Sequence, residues 1–274
     1  MKRRIIWVTV FIIIYNLYAS PEYINKTFFH TDEYATICIS EDKLIFDDGE
    51  EIGQLIQSEK YDCFYSDKTK YAILCCSIMQ SQFLTIIKKN ELSKDLYSTF
   101  EMTFVKTEKD AIYDRIKLVP FKVSKVDSFI SEKDKKGNVI NFLPDALFSM
   151  NSNPWAVMKN EKKNIYINTE RWRKSNIQYC LIKDMVFVNG FVFPDKDYLY
   201  EQNSRAKLIR ISYNKTSFKT ELQDTGNFQV VHLPTPINPT DDNNIKIEII
   251  DSYPGTKYSD IVISGIYYMD AVIK

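Results

Sequence analysis

Ile245-Lys246-Ile247-Glu248-Ile249 alternates apolar and charged side chains at the start of a run that extends to Tyr253. That period of two is what a strand with one buried and one solvated face requires. Working outward, residues 261–268 form the next run downstream. Upstream, residues 228–233, 217–222, 207–214, 183–189, 164–168 and 123–130 read as strands in the same way. Asn214-Lys215-Thr216 and Asp224-Thr225-Gly226-Asn227 are turns between them. Pro234-Thr235-Pro236 through Pro239 cannot pair in a central strand and reads as loop. Short strands at this density predict a β-sandwich of jelly-roll type over residues 123–274.

The first half carries the same signal more faintly. Ile37-Cys38-Ile39, Leu44-Ile45-Phe46 and residues 71–79, 83–87 and 100–105 are short apolar runs. Asp-Asp-Gly, Ser-Asp-Lys and Lys-Lys-Asn clusters break them and read as turns. Residues 21–122 are therefore expected to be a small β-rich domain of meander hairpins, with the boundary near residues 106–122. Residues 91–97 read as one or two helical turns. The expected fold class is all-β throughout.

Composition narrows the function. The chain has 274 residues, of which 45% are hydrophobic, which excludes a disordered polymer. Its 36 basic and 36 acidic side chains balance, so the electrostatic footprint of a nucleic-acid binder is missing. Two histidines (His30, His232) and seven glycines leave little for metal sites, histidine catalysis or glycine-rich phosphate loops. HExxH, GxSxG, P-loop, GxGxxG, CxxC and Cys-His zinc spacings do not occur. Asp32-Glu33, Asp47-Asp48 and Asp241-Asp242 sit in turn-like segments and read as solvated carboxylates. His232 has no identifiable serine or cysteine partner. No cofactor and no catalytic residue are expected.

The N-terminus has the form of a secretory signal. Lys2-Arg3-Arg4 precedes an apolar run from Ile5 to Tyr15, and small residues follow at Ala19-Ser20. The run is short of the roughly 20 apolar residues of a membrane span. Cleavage after residue 20 leaves 33 basic against 36 acidic residues, a net charge of −3 and no membrane span. An uncleaved anchor is the alternative. Export makes the protein periplasmic, cell-surface or secreted. In that setting five cysteines (Cys38, Cys63, Cys75, Cys76, Cys180) leave at least one unpaired. Cys63 can pair with Cys75 or Cys76 across a hairpin, or all can be small buried hydrophobes.

Residues 247–264, with Tyr253-Pro254-Gly255-Thr256-Lys257-Tyr258-Ser259-Asp260 at their centre, carry a more specific pattern. They resemble the last two strands of the NADase-type glycan-binding domains, which are discoidin-like (galactose-binding-like) sandwiches of exported bacterial proteins. Ser128-Phe129-Ile130-Ser131-Glu132, Leu143-Pro144-Asp145-Ala146-Leu147 and Asn153-Pro154-Trp155-Ala156-Val157 are similar to the family's opening. Val188-Asn189-Gly190-Phe191 with Tyr200, Asn203, Ser204 and Arg205 is similar to its central loop. The resemblance spans residues 123–270. It departs from the pattern at Lys159-Asn160-Glu161-Lys162-Lys163, where a glycine-rich acidic loop is usual. No counterpart of the NAD-cleaving domain that accompanies such modules in some proteins is identifiable from the residues of this chain.

With strands running antiparallel, loops 131–163, 190–206, 224–227 and 254–260 gather at one end of the sandwich. That end collects Trp155, Tyr198, Tyr200, Asn203, Arg205, Lys257 and Tyr258, with Asn189 and Tyr253 at strand edges. Aromatic faces stack on sugar rings while Arg, Asn and Lys donate to hydroxyls. Each residue also has a structural reading: Trp155 as a core plug, Arg205 as an edge shield, and Gly255 as a turn residue with positive φ. Asp251 and Asp260 then accept the amide protons of that turn. Arg171-Trp172-Arg173 falls at the opposite end and reads as a solvated loop.

The function expected is that of an exported, non-enzymatic protein that binds carbohydrate, either a glycan or a cell-wall or surface polysaccharide. One competing class is a structural or protein-interaction module that keeps the sandwich without the sugar site. The other is a hydrolase with its chemistry in the N-terminal domain.

Overall fold

The structure is a computed structural model. It describes residues 23–30, 36–40, 42–46, 48–58, 60–66, 71–78, 81–89, 97–105, 117–144, 154–168, 181–193, 195–238 and 244–270. The expected signal segment, Arg171-Trp172-Arg173, Cys180 and residues 91–96 lie outside them.

The N-terminal sheet contains β1 (Thr27–His30), β2 (Thr36–Ser40), β3 (Lys43–Phe46), β4 (Glu51–Ile52), β5 (Ile56–Gln57), β6 (Cys63–Tyr65), β7 (Tyr71–Ile78), β8 (Ser81–Lys89) and β9 (Tyr97–Val105). Its order, β4-β3-β2-β1-β9-β8-β7-β6-β5, is two antiparallel meanders joined where β1 pairs with β9. Phe28, Ile37, Ile39 and Leu44 from one meander share a core with Phe64, Ile73, Leu84 and Ile86 from the other. The sheet therefore coils until its two wings meet.

The C-terminal half contains β10 (Lys117–Pro120), β11 (Val123–Val126), β12 (Ser131–Lys133), β13 (Val139–Asn141), β14 (Trp155–Val157), β15 (Asn164–Asn168) and β16 (Ile182–Asn189). Helix α1 (Tyr198–Gln202) follows, then β17 (Ser204–Tyr213), β18 (Thr216–Glu221), β19 (Phe228–Ile237), β20 (Asn244–Tyr253) and β21 (Ile261–Asp270). One layer is β11-β15-β20-β17-β18, and the other is β21-β16-β19 with β10 and β14 also on β21. A short parallel contact, Ser204↔Ile261 and Arg205↔Val262, joins the layers. Ile245, Ile247 and Ile249, the apolar half of the alternating stretch, pack in one core with Phe187, Ile261, Ile263 and Ile266. The chain enters this half at β10, which pairs with β21 ahead of residue 123.

The inner strands of the second layer are buried on both faces. Met185 and Phe187 of β16, with Ile266 and Tyr268 of β21, point into the sandwich. Their neighbours Val186, Val188 and Tyr267 point outward, against Tyr61, Cys63, Ala72 and Phe83 of the N-terminal half. Each such side chain contributes roughly 1.5–3 kcal/mol by leaving water. The two halves are thus fused through an apolar seam.

Two expectations are corrected. Pro234 and Pro236 lie within β19, not in a loop. β19 is the last strand of its layer, and an edge strand tolerates missing N–H donors. Its ladder is irregular opposite Ile182 and Asp184. Thr235 turns its backbone groups to the Tyr213 phenol instead, which donates to the Thr235 carbonyl at 2.6 Å.

The second correction concerns Cys63 and Cys75. Cys63 stands opposite Leu74 in the β6–β7 ladder, one residue out of register with Cys75. One residue of offset reverses the face of a strand. Cys63 accordingly faces the sandwich and Cys75 faces the core of the N-terminal sheet. Neither forms a disulfide, and nor does Cys38. Burial pushes the Cys63 thiol up, and the nearby carboxylates of Asp197, Asp195 and Asp62 add to this. In the folded protein Cys63 is expected to resist iodoacetamide and to react only in denaturant. Non-reducing peptide mapping is expected to find no Cys63–Cys75 bridge.

Candidate functional site

The loops that follow β16, β18 and β20 meet at one end of the sandwich, and Arg205 holds them together. Its Nε donates to Asp224 Oδ1 at 2.8 Å and its Nη2 to Asp224 Oδ2 at 2.7 Å, a two-pronged grip. Nη1 donates to the carbonyls of Asn203 (2.9 Å) and Pro254 (3.1 Å). The guanidinium lies 5.1 Å from the centroid of the Tyr200 ring, and the Tyr200 hydroxyl donates to Asp224 Oδ1 at 2.9 Å. One cation therefore ties the 190–203 segment, the 222–227 turn and the 254–260 loop to β17.

Glycines make room for this. Gly190 has φ +85°, and a Cβ there would stand 2.7 Å from Arg205 Cγ and from the Tyr200 ring. Gly255 lies against backbone: a Cβ would sit 2.5 Å from the Gln202 and Tyr258 carbonyl oxygens. Its φ is not positive, so close approach, not backbone handedness, is the reason for glycine. The amides of the 254–260 loop are not taken up by Asp251 and Asp260 as expected. Thr256 N donates to the Glu201 carbonyl, Lys257 N and Tyr258 N to the Gln202 carbonyl, and Gly255 N to Ser204 Oγ. The loop thereby satisfies carbonyls that the short helix α1 would otherwise leave open. Burial pushes the Asp260 carboxyl up.

These facts sort the expected ligand residues into two groups. Trp155 is fully buried in the sandwich core, with its indole N–H donating to the Ser128 carbonyl at 2.8 Å. It offers no face to a ligand. Asn189 is also fully buried: its Nδ2 donates to the Ala206 carbonyl, and its Oδ1 accepts from Ala206 N. It substitutes for a strand ladder between β16 and β17. Tyr200, Asn203 and Arg205 are buried in the clamp. Tyr253 is half-buried, its phenol donating to the Leu222 carbonyl at 3.1 Å. Tyr198 (54% exposed) and Tyr258 (42% exposed) present rings to solvent. Exposed Lys257 holds its Nζ 4.8 Å from the centroid of the Tyr258 ring.

The N-terminal half also reaches this end, a contact that no local sequence signal marks. Ser58 Oγ donates to Asp197 Oδ2 at 2.9 Å, and Lys60 pairs with Glu201 at 2.5 Å. The Tyr61 phenol donates to the Phe193 carbonyl and accepts from Phe193 N. Asp62 exchanges two hydrogen bonds with Asn227. Gly226 is the counterpart of Tyr61: a Cβ there would lie 2.7 Å from the ring. Burial pushes the Tyr61 phenol up, as it does that of Tyr200.

Other candidates stay apart from this end. His232 is exposed, with Nδ1 2.5 Å from Asp184 Oδ1 on the neighbouring strand. Asp48 Oδ1 accepts from Glu50 N within a turn, while Asp32-Glu33 and Asp241-Asp242 lie outside the described residues. Among the described residues no group of three or more His, Cys, Asp or Glu side chains is placed to hold a metal ion.

The C-terminal half is a β-sandwich with loops fastened at one end, and its family match makes it a discoidin-like module. Residues 174–269, about a third of the chain, match the sequence profile of the NAD glycohydrolase translocation F5/8 type C domain. The matched stretch runs from ahead of β16 almost to the end of β21, within the span 123–270 that carries the resemblance. No curated protein matches the chain.

The clamp has a pH signature. Burial alone would raise the Asp224 carboxyl, but bonds from Arg205 and Tyr200, with the Arg205 charge, hold it below the usual carboxylate range. A depressed carboxyl stabilises the fold above its unfolded pKa of about 4 and loses that contribution as pH falls through the folded value. Wholly buried pairs cost about 3–5 kcal/mol to break; the Asp224 side chain is 40% exposed, so about 2 kcal/mol is expected for Asp224→Asn at pH 7. In urea titrations that deficit should shrink as the pH is lowered below about 4.

Proposed function

We propose that the protein is an exported, non-enzymatic binding protein whose discoidin-like module recognises carbohydrate on a glycan, cell wall or surface polysaccharide. Residues 1–20 act as its export signal. The observation that carries the reading is the exposure of Tyr198 on helix α1, and of Lys257 and Tyr258 on the 254–260 loop, both fixed to one end of the sandwich. Rings supply faces for sugar C–H groups, and the ammonium supplies a donor for hydroxyls. Because Arg205 fixes the loops beforehand, little ordering entropy remains to oppose binding. The match to an F5/8 type C domain, a discoidin-like module, supports a binding role of this kind.

A second reading is supported by a separate observation. The same end already takes a protein surface, since Ser58, Lys60, Tyr61 and Asp62 dock on Asp197, Glu201, Phe193 and Asn227. On that reading the module is an interaction or structural unit whose partner is a polypeptide.

A glycan array probed with the full chain separates the two. Under the carbohydrate reading the array shows saccharide binding that weakens about tenfold or more in the Tyr198→Ala/Tyr258→Ala double variant. The melting temperature should be unchanged, because both rings are exposed. A folded protein that binds no glycan and co-purifies with one defined protein partner would favour the second reading.

A further inference from the structure

A cleft of about 500 Å³ opens between the 222–227 turn and the N-terminal sheet. That volume falls within the roughly 300–1,000 Å³ of small-molecule sites. Asp62 borders it from one side; Glu221, Gln223, Thr225, Phe228 and Gln229 border it from the other. No residue of either wall belongs to the Tyr198–Tyr258 surface.

The chemistry of the walls restricts what fits. Among the described lining residues there is no lysine, arginine or histidine. A phosphate, sulfate or sialic-acid carboxylate would face Glu221 and Asp62 with no cation to offset them. Among the described residues Glu221 and Asp62 gain no further carboxylate, histidine or cysteine placed to complete a cation site, and two carboxylates are too few oxygens for a multivalent cation. Gln229 is committed to the turn: Nε2 donates to the Gln223 and Thr225 carbonyls at 3.1 Å, and Oε1 accepts from Gln223 N at 2.6 Å. The wall is therefore set before any ligand arrives. The ligand meets the exposed Glu221 acceptor, the exposed Gln223 carboxamide, which both donates and accepts, and the half-buried Phe228 ring. A neutral, hydroxyl-rich ring satisfies all three.

We propose that this cleft is a second subsite for neutral saccharides, built jointly by the two halves of the chain; the proposal rests on the carbohydrate reading above. Tyr253 connects it to the loop end, since its phenol bonds the Leu222 carbonyl and lies 3.4 Å from Glu221 Oε1.

The test presents the full chain to an array of neutral, sulfated and sialylated oligosaccharides. Glu221→Lys and Gln223→Ala are run beside the Tyr198→Ala/Tyr258→Ala variant, each checked for an unchanged melting temperature. The expected result is binding to neutral glycans that falls about tenfold or more in Glu221→Lys and measurably in Gln223→Ala. Binding that depends on Tyr198 and Tyr258 but ignores both cleft variants would overturn the cleft and leave the carbohydrate reading intact. Binding confined to sulfated or sialylated glycans would do the same. An array on which nothing binds would overturn both. Should Glu221→Lys fail to fold, Gln223→Ala decides alone, because that exposed carboxamide has no hydrogen-bond partner among the described residues.

Discussion

The two-pronged bond between Arg205 and Asp224 is the constraint on which the loop end depends. The Arg205 side chain is only 9% exposed, so its charge tolerates burial because Asp224, two carbonyls and the Tyr200 ring surround it. Removal of the carboxylate would strand a cation, and the surrounding segments would have to open to hydrate it. Everything nearby is fitted to avoid this. Gly190 leaves space for the arginine stem, and Gly255 lets the 254–260 loop lie flat on the end of α1. The loops thereby gain a fixed relative placement that five-residue α1, too short to be stable alone, could not supply.

A second constraint follows from the double burial of β16 and β21. A sandwich normally leaves the outer face of each sheet to water, with polar residues alternating outward. Here Val186, Val188 and Tyr267 replace that polar set, and the N-terminal sheet covers them. Separated from residues 23–105, the sandwich would expose this apolar strip together with the surfaces that receive Ser58, Lys60, Tyr61 and Asp62. The N-terminal sheet and the sandwich consequently depend on this one seam to keep its apolar side chains from water.

Much of the fold was legible because alternation is a local property. Residues 245–249 announce one buried face, and that face is where Ile245, Ile247 and Ile249 lie. Less was legible wherever the answer depended on what packs on the other side. Met185-Val186-Phe187-Val188 is an unbroken apolar run, the signature of a strand buried on both faces, yet sequence does not identify the second cover. The prolines of β19 read as loop because nothing local marks that strand as an edge. Spacing leaves a Cys63–Cys75 bridge and two unpaired thiols equally open, and register decides by placing them on opposite faces. At the loop end the residue types were legible and their duties were not. Asp224 sits in an Asp-Thr-Gly-Asn run that reads only as a turn, and nineteen residues separate it from Arg205.

That division of duties bears on how such a site changes specificity. Trp155, Asn189, Tyr200 and Arg205 look like ligand residues by type, but each is buried and bonded within the protein, so substitution there is felt first as lost stability. Tyr198, Lys257 and Tyr258 carry no such obligation and are exposed on the helix and loop that the clamp fixes. A surface of this kind can exchange side chains, and with them ligands, while the scaffold stays constant. The cleft walls combine both duties, because Gln229 sets the turn while Glu221 and Gln223 face outward from it. Any ligand taken there would contact both sheets, and its binding free energy would add to the seam that already joins them.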